Sequence, residues 1–207
     1  MFHTFGDSHC FYGWTFSDII KTHHTPGLLC YSFGKENIKR INISDKKYKV
    51  KNNDYILFSL GEIDCRCHVQ KHITETNTYK NIIDNIIIEY FNSITINKNL
   101  FENLKICVFS VPPTIQRTKN KFKTYPEFPF LGTDEERKSY VLYFNQQLKI
   151  YCEKYDYIFI DVYNYYIDEN GYMKYELSDK KVHIRNPYGI KNELKEKIKE
   201  ISEFQQY

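Results

Sequence analysis

A serine behind a strand, a late histidine and a carboxylate near that histidine are the residue types that acyl transfer requires. The hydroxyl needs a base to take its proton, the base needs a group to orient it, and the oxyanion needs donors. Ser8 stands in Gly6-Asp7-Ser8-His9, directly behind the short extended run Phe2-His3-Thr4-Phe5. A tight Gly-Asp turn between a first strand and a following helix lifts the Ser8 hydroxyl off the end of a sheet. It also sets the Ser8 N–H near a helix N-terminus, where developing negative charge is favoured. Standing alone, the same four residues are ordinary turn chemistry. His183 is the best base. It falls in Leu177-Ser178-Asp179-Lys180-Lys181-Val182-His183-Ile184, a polar loop before the last helix, with the carboxylate of Asp179 close by.

In order and spacing these residues resemble the SGNH/GDSL hydrolases. Phe5-Gly6-Asp7-Ser8-His9 looks like that family's first block, with Ser8 as nucleophile. Gly61-Glu62-Ile63-Asp64, behind a third strand, looks like the third block, Gly-x-Asn-Asp, and the late Asp–His pair looks like the fifth, Asp-x-x-His. The resemblance spans essentially the whole chain and implies a flavodoxin-like sheet with ester or acyl-transfer chemistry. The longer run from Gly61 to His68, GEIDCRCH, is similar to a subgroup seen in microbial and large-virus proteins, often alongside sugar-modifying enzymes. By analogy it points the substrate towards carbohydrate.

Three departures from the family pattern bear on the site. Ile63 stands where the family has an asparagine that donates to the oxyanion, a contact worth ~3 kcal/mol in typical oxyanion holes. Arg66 is the obvious substitute donor, and an ion pair with Glu62 or Asp64 that shapes the loop is its equal alternative. Lys180, not an aspartate, lies three residues before His183, and Asp179 lies four before it. A turn would still let that pair meet, whereas an extended loop would leave His183 to Asp161, Asp168 or a backbone carbonyl. The second-block glycine, whose N–H completes the oxyanion hole, is either Gly27 or Gly34. Gly27 suits it better, because it follows a strand and Thr25-Pro26.

Rival constellations are weaker. Cys65, Cys67, His68 and His72 have metal-ligating side chains, but Cys-x-Cys is tight for one tetrahedral ion and no second ligand pair follows. No metal is expected. Cys10 or Cys65 as a nucleophile has only proximity in its favour. His9 adjoins Ser8, so its side chain is expected to shape the loop or touch substrate rather than act as base. Arg117, Lys119, Lys121 and Lys123 alternate with Phe122, Tyr125 and Phe128, a pattern that suits either stacked bases or the rim of a sugar site.

These residues need a sheet to position them. Phe2 to Phe5, Tyr55 to Leu60, Lys105 to Val111 and Tyr157 to Val162 read as buried parallel strands, with a fifth within Ile19 to Thr25. Helical spacing runs over Asn77 to Asn92, over Thr133 to Tyr155 behind a cap-like Thr133-Asp134-Glu135-Glu136, and over Tyr188 to Phe204. Arg40 to Asn53 reads as a polar hairpin, and Pro112 to Gly132 as a long loop. The alternation predicts an α/β three-layer sandwich with a mainly parallel, flavodoxin-like central sheet, as a single domain over residues 1–207. Ligands of such sheets bind beyond the carboxyl ends of the strands.

With 29 basic and 26 acidic residues the chain carries a formal charge of +3, too balanced for a dedicated polyanion binder. No apolar run reaches membrane-spanning length. A strand starting at Phe2 leaves no room for a cleavable signal peptide, so the six cysteines are expected as thiols of a cytoplasmic protein. The sequence-based expectation is a serine-dependent esterase with Ser8, His183 and Asp179 as its triad and Gly27 and Arg66 at the oxyanion. Its expected substrate is an O-acyl ester, an acetylated carbohydrate fitting best, and it needs no cofactor. O-acyl transfer to a sugar, or a catalytically weakened binding protein on the same scaffold, are the alternatives.

Overall fold

The computed structural model describes residues 1–117 and 125–206. Five strands, β1 (Phe2–Gly6), β2 (Ile20–His24), β3 (Tyr55–Ser59), β4 (Lys105–Phe109) and β5 (Ile158–Ile160), form one sheet in the order β2-β1-β3-β4-β5. Every neighbouring pair is parallel. This is the flavodoxin-like order, whose switch point lies at the carboxyl ends of β1 and β3. The register puts Gly6 level with His24 on one side and Ser59 on the other, so three strand ends open onto a common rim.

Both faces of the sheet are covered, so β1 and β3 are buried at every position. Alternate residues feed two cores. Phe5, Ile56 and Phe58 pack with α1 (Cys30–Glu36), α2 (Tyr79–Lys98) and α3 (Asp134–Tyr155) on one face. Phe2, Leu57 and Phe109 pack with Trp14 and with Ile190 and Leu194 of α4 (Tyr188–Lys197) on the other. The three-layer sandwich follows from that alternation.

The helix ends differ from expectation for local reasons. α2 runs beyond Asn92 because Ile94 and Asn97 are still buried, and Asn97 spends its amide on the Ile43 N–H and the Ser93 carbonyl. α3 opens on Thr133, which forms a reciprocal capping box with Glu136. α4 stops at Lys197; Phe204 is buried from a separate 3-10 turn, Ser202–Gln206. The expected hairpin over Arg40 to Asn53 is absent. That segment holds the turn Lys46–Tyr48 and no strand: Ile41 and Ile43 are buried against the core, and the Ile43 N–H donates to the Asn97 side chain of α2 rather than to a neighbouring strand. All six cysteines are buried, unpaired thiols. Among the described residues no helix is long and apolar enough to cross a membrane.

Candidate active site

At Gly6 β1 ends so close to β3 that no side chain fits. Its φ is +153°, and a Cβ there would lie 1.9 Å from the Ser59 carbonyl oxygen. Asp7 then turns the chain. Its N–H donates to Ser59 O and its carboxylate accepts the His9 N–H at 2.8 Å, capping the 3-10 turn Ser8–Cys10. Ser8 is thereby held at the strand end, its carbonyl accepting from the N–H groups of Phe11 and Tyr12. Thr25 N–H donates to Gly6 O at 2.8 Å, which brings the chain after β2 alongside.

The loop that carries the histidine is a tight reversal. Ser178 and Ile184 pair across it, Asp179 N–H donates to His183 O, and Asp179 Oδ1 accepts from the N–H groups of Lys181 and His183. Four residues apart in sequence, the two side chains therefore meet: Asp179 Oδ2 lies 2.7 Å from His183 Nδ1. His183 Nε2 lies 2.8 Å from Ser8 Oγ. Asp161 and Asp168 stay away from this histidine, accepting instead from backbone N–H groups of Tyr163 and of Asn170 and Tyr172.

Burial, with the nearby His9 charge, pushes the His183 pKa below the usual histidine value, although the Asp179 hydrogen bond opposes that. Burial would raise the Asp179 carboxyl, but its hydrogen bonds from the His183 ring and from the turn's N–H groups outweigh it and hold it low. The arrangement at neutral pH is thus a neutral imidazole between a hydroxyl and a carboxylate. A general base needs that ionisation.

A cleft of about 510 Å³ opens in front of Ser8 and His183, with Gly27, Ile63, Arg66 and Phe128 in its walls. Gly27 adopts φ +67°, and a Cβ there would press on the Phe128 ring at 2.7 Å. Gly34 is elsewhere, inside α1, where it lets that helix close on Glu89 and Tyr90 of α2. Of the two glycines only Gly27 borders the cleft. No backbone acceptor among the described residues takes the N–H of Ser8 or of Gly27.

Arg66 also borders the cleft, but its fork is turned to Glu62. Nε and Nη2 bind the two Glu62 oxygens at 2.7 and 3.0 Å, and Nη1 donates to Phe128 O at 2.7 Å. Its planar face lies over Phe130. Of the two expected roles of Arg66, the structure shows the ion pair with Glu62 that shapes the wall. Burial would raise Glu62, yet the Arg66 charge and hydrogen bonds keep its carboxyl below the usual value. Asp64 takes no part in that ion pair. Fully buried, it accepts the N–H groups of Cys30 and Tyr31 at the start of α1, and burial lifts its pKa to about 7.

The remaining candidates fall outside the cleft's chemistry. Burial pushes the Cys10 and Cys65 thiols far up, which leaves no thiolate nucleophile. Cys67 donates to Ile63 O. The His68 and His72 rings pack together 4.4 Å apart in a separate recess beside Tyr31 and Glu89. Among the described residues no group of three or more His, Cys, Asp or Glu is placed to hold a metal ion. Of the basic-aromatic loop, Lys119, Lys121, Phe122 and Lys123 lie outside the described residues; Tyr125 and Phe128 line the cleft and Arg117 lies over Phe130. One further site neighbour gave no sequence signal: Tyr12 stacks on the His183 ring at 4.1 Å.

No protein-family model matches this sequence, and no curated protein matches it. Solved structures do. A GDSL-like lipase from Bacteroides thetaiotaomicron superposes with a TM-score of 0.60 at 13% identity, over 99% of this chain and 87% of that one. An acetyl xylan esterase gives 0.54 at 15% identity, over 91% of this chain and 92% of its own. Phospholipase A1 from Streptomyces albidoflavus gives 0.54 at 11%, over 91% and 93%. The chain has the fold of the GDSL-like hydrolases.

Proposed function

We propose that this chain is a serine-dependent esterase of the SGNH/GDSL type, cleaving an O-acyl ester through an acyl-enzyme. The observation that carries the reading is the unbroken pair of short hydrogen bonds, 2.7 and 2.8 Å, from Asp179 through His183 to Ser8. Ser8 Oγ attacks the acyl carbon as its proton passes to His183 Nε2. Asp179 steadies the imidazolium that results. The tetrahedral oxyanion is met by the N–H groups of Ser8 and Gly27, and its collapse expels the alcohol, which takes the proton back from His183. Water then repeats the sequence on the acyl-serine and releases the acid. A sugar hydroxyl in place of water would make the same site an acyltransferase. No step requires a cofactor.

Tyr12, Tyr125, Phe128 and Phe130 give the cleft aromatic surfaces of the kind that pack on sugar faces, so an O-acetylated carbohydrate is the substrate class we favour. Labelling with a fluorophosphonate probe tests the reading. The wild type should be modified at Ser8 and Ser8→Ala should not. A second reading, a binding protein with weakened catalysis, is favoured by Ile63 alone, and equal, negligible labelling of both proteins would select it.

A further inference from the structure

We infer that His9 is a positioning residue: a buried imidazolium that fastens the Asp179–His183 turn to the nucleophile turn and balances the negative charge around His183. The role rests on the reading of Ser8 and His183 as nucleophile and base. His9 itself is 4% exposed and is absent from the cleft lining, so it meets no substrate.

Both of its ring nitrogens face acceptors. Nδ1 lies 3.1 Å from Asp7 Oδ1, and Nε2 lies 3.2 Å from the carbonyl oxygen of Val182, the residue before His183. A carbonyl has no proton to give, and Asp7 Oδ1 already acts as acceptor to the His9 N–H, so satisfying both ring contacts calls for a proton on each nitrogen. The His9 N–H adds a second hydrogen bond to the same Asp7 oxygen, and its carbonyl accepts from Trp14 Nε1. The ring is therefore fixed by the nucleophile turn and reaches across to the base turn, 173 residues away in sequence.

The charges around the pair explain why a cation belongs there. His183 is faced by Asp179 from its own turn, by the ring of Tyr12 and by His9 from the nucleophile turn, and by Glu62 from behind β3, with Lys181 at the cleft mouth. Asp179 and Glu62 both favour a protonated His183. The His9 ring centre lies 4.9 Å from that of His183, and a positive charge there opposes the second protonation. His9 in turn is faced by Asp7, Glu62 and the Val182 carbonyl. Burial works against its charge, but those three outweigh it and raise its pKa.

Nitrogen-15 NMR of the imidazole rings in the full chain reads the charge directly and needs no activity. At mildly alkaline pH, above the ordinary histidine range, His9 should show two protonated nitrogens while His183 is neutral. A neutral His9 with a single ring proton overturns the inference. The kinetic arm uses His9→Gln, which keeps a donor but removes the charge. Its kcat/KM profile should have its acid limb displaced to higher pH with KM unchanged. A uniform loss of activity with the limb in place would mean a purely structural role and would equally overturn it. If Ser8 is not labelled by fluorophosphonate, the esterase reading fails while the NMR result on His9 still stands or falls separately.

Discussion

An isoleucine side chain carries no donor, and Ile63 lines the cleft at the position where the resemblance expects an amide beside the oxyanion. Three of the five N–H bonds of the neighbouring Arg66 go to Glu62 and Phe128 instead. The proposed hole rests on the two backbone N–H groups of Ser8 and Gly27, and removing one donor from a complete hole costs on the order of 10²–10³ in kcat. Ile63→Asn should therefore raise kcat on a simple acyl ester, by roughly tenfold if the new amide reaches only part of its ideal geometry. Its KM should change little, and its melting temperature should fall, since a buried apolar side chain is lost. Steady-state kinetics on both proteins decides: an unchanged kcat would mean the third donor already exists elsewhere. That Ser8, His183 and Asp179 would meet could be read from residue types alone, because the chemistry of acyl transfer limits the choice. Arg66 could not, since an arginine four residues after a glutamate serves an ion pair or an anion equally well until geometry is known.

At the scale of elements, legibility follows how local the determining interactions are. β3 and β4 were readable because each is a short apolar run that the sheet buries on both faces, whereas the edge strand β2, Ile-Lys-Thr-His-His and half exposed, could be placed only within a wider segment. The start of α3 was readable because Thr133 and Glu136 satisfy each other's N–H groups without tertiary help. That cap should be worth ~1 kcal/mol. Thr133→Ala is expected to lower stability by that amount, about 2–4 °C in melting temperature for a chain of this size, with Ser8 labelling intact. A loss several times larger, read by urea unfolding, would show that Thr133 also holds the cleft wall beside it. α1 was not legible. It is short, begins at Leu29 with no side-chain cap of its own, and has its first N–H groups satisfied by Asp64 from the segment after β3. The helical turn Asp64–His68 was hidden for the same reason, being held by long-range contacts. The Asp179–His183 turn lies between these cases: its hydrogen bonds are local, but the left-handed backbone at Lys180 (φ +65°) gives no residue-type signal.

For the whole molecule, buried and half-buried titratable groups pull stability in opposite directions with pH. Burial lowers His23 and His68 to about 4, each helped by a neighbouring histidine and a lysine, and burial lowers His3 as well. A histidine with a depressed folded pKa contributes stability that is complete above its unfolded value near 6.5 and is lost as pH falls through the folded value. Asp64 behaves in the opposite sense. Its folded pKa of about 7 exceeds the ordinary aspartate value of 3.8, so its contribution is complete at low pH and is lost as pH rises towards 7. Replacing it isolates that contribution. Asp64→Asn retains an oxygen to accept from the start of α1 but cannot ionise, so it escapes the loss between pH 4 and pH 7. The histidine contributions are common to both proteins and cancel in the difference. Melting temperatures measured across that range should therefore show the variant gaining on the wild type as pH rises, and levelling off above about 7. A difference that stays constant with pH would mean that Asp64 is ionised throughout in the folded chain. The hydrogen bonds from Cys30 and Tyr31 would then have to outweigh its burial, and α1 would be held by a charge rather than by a neutral acid.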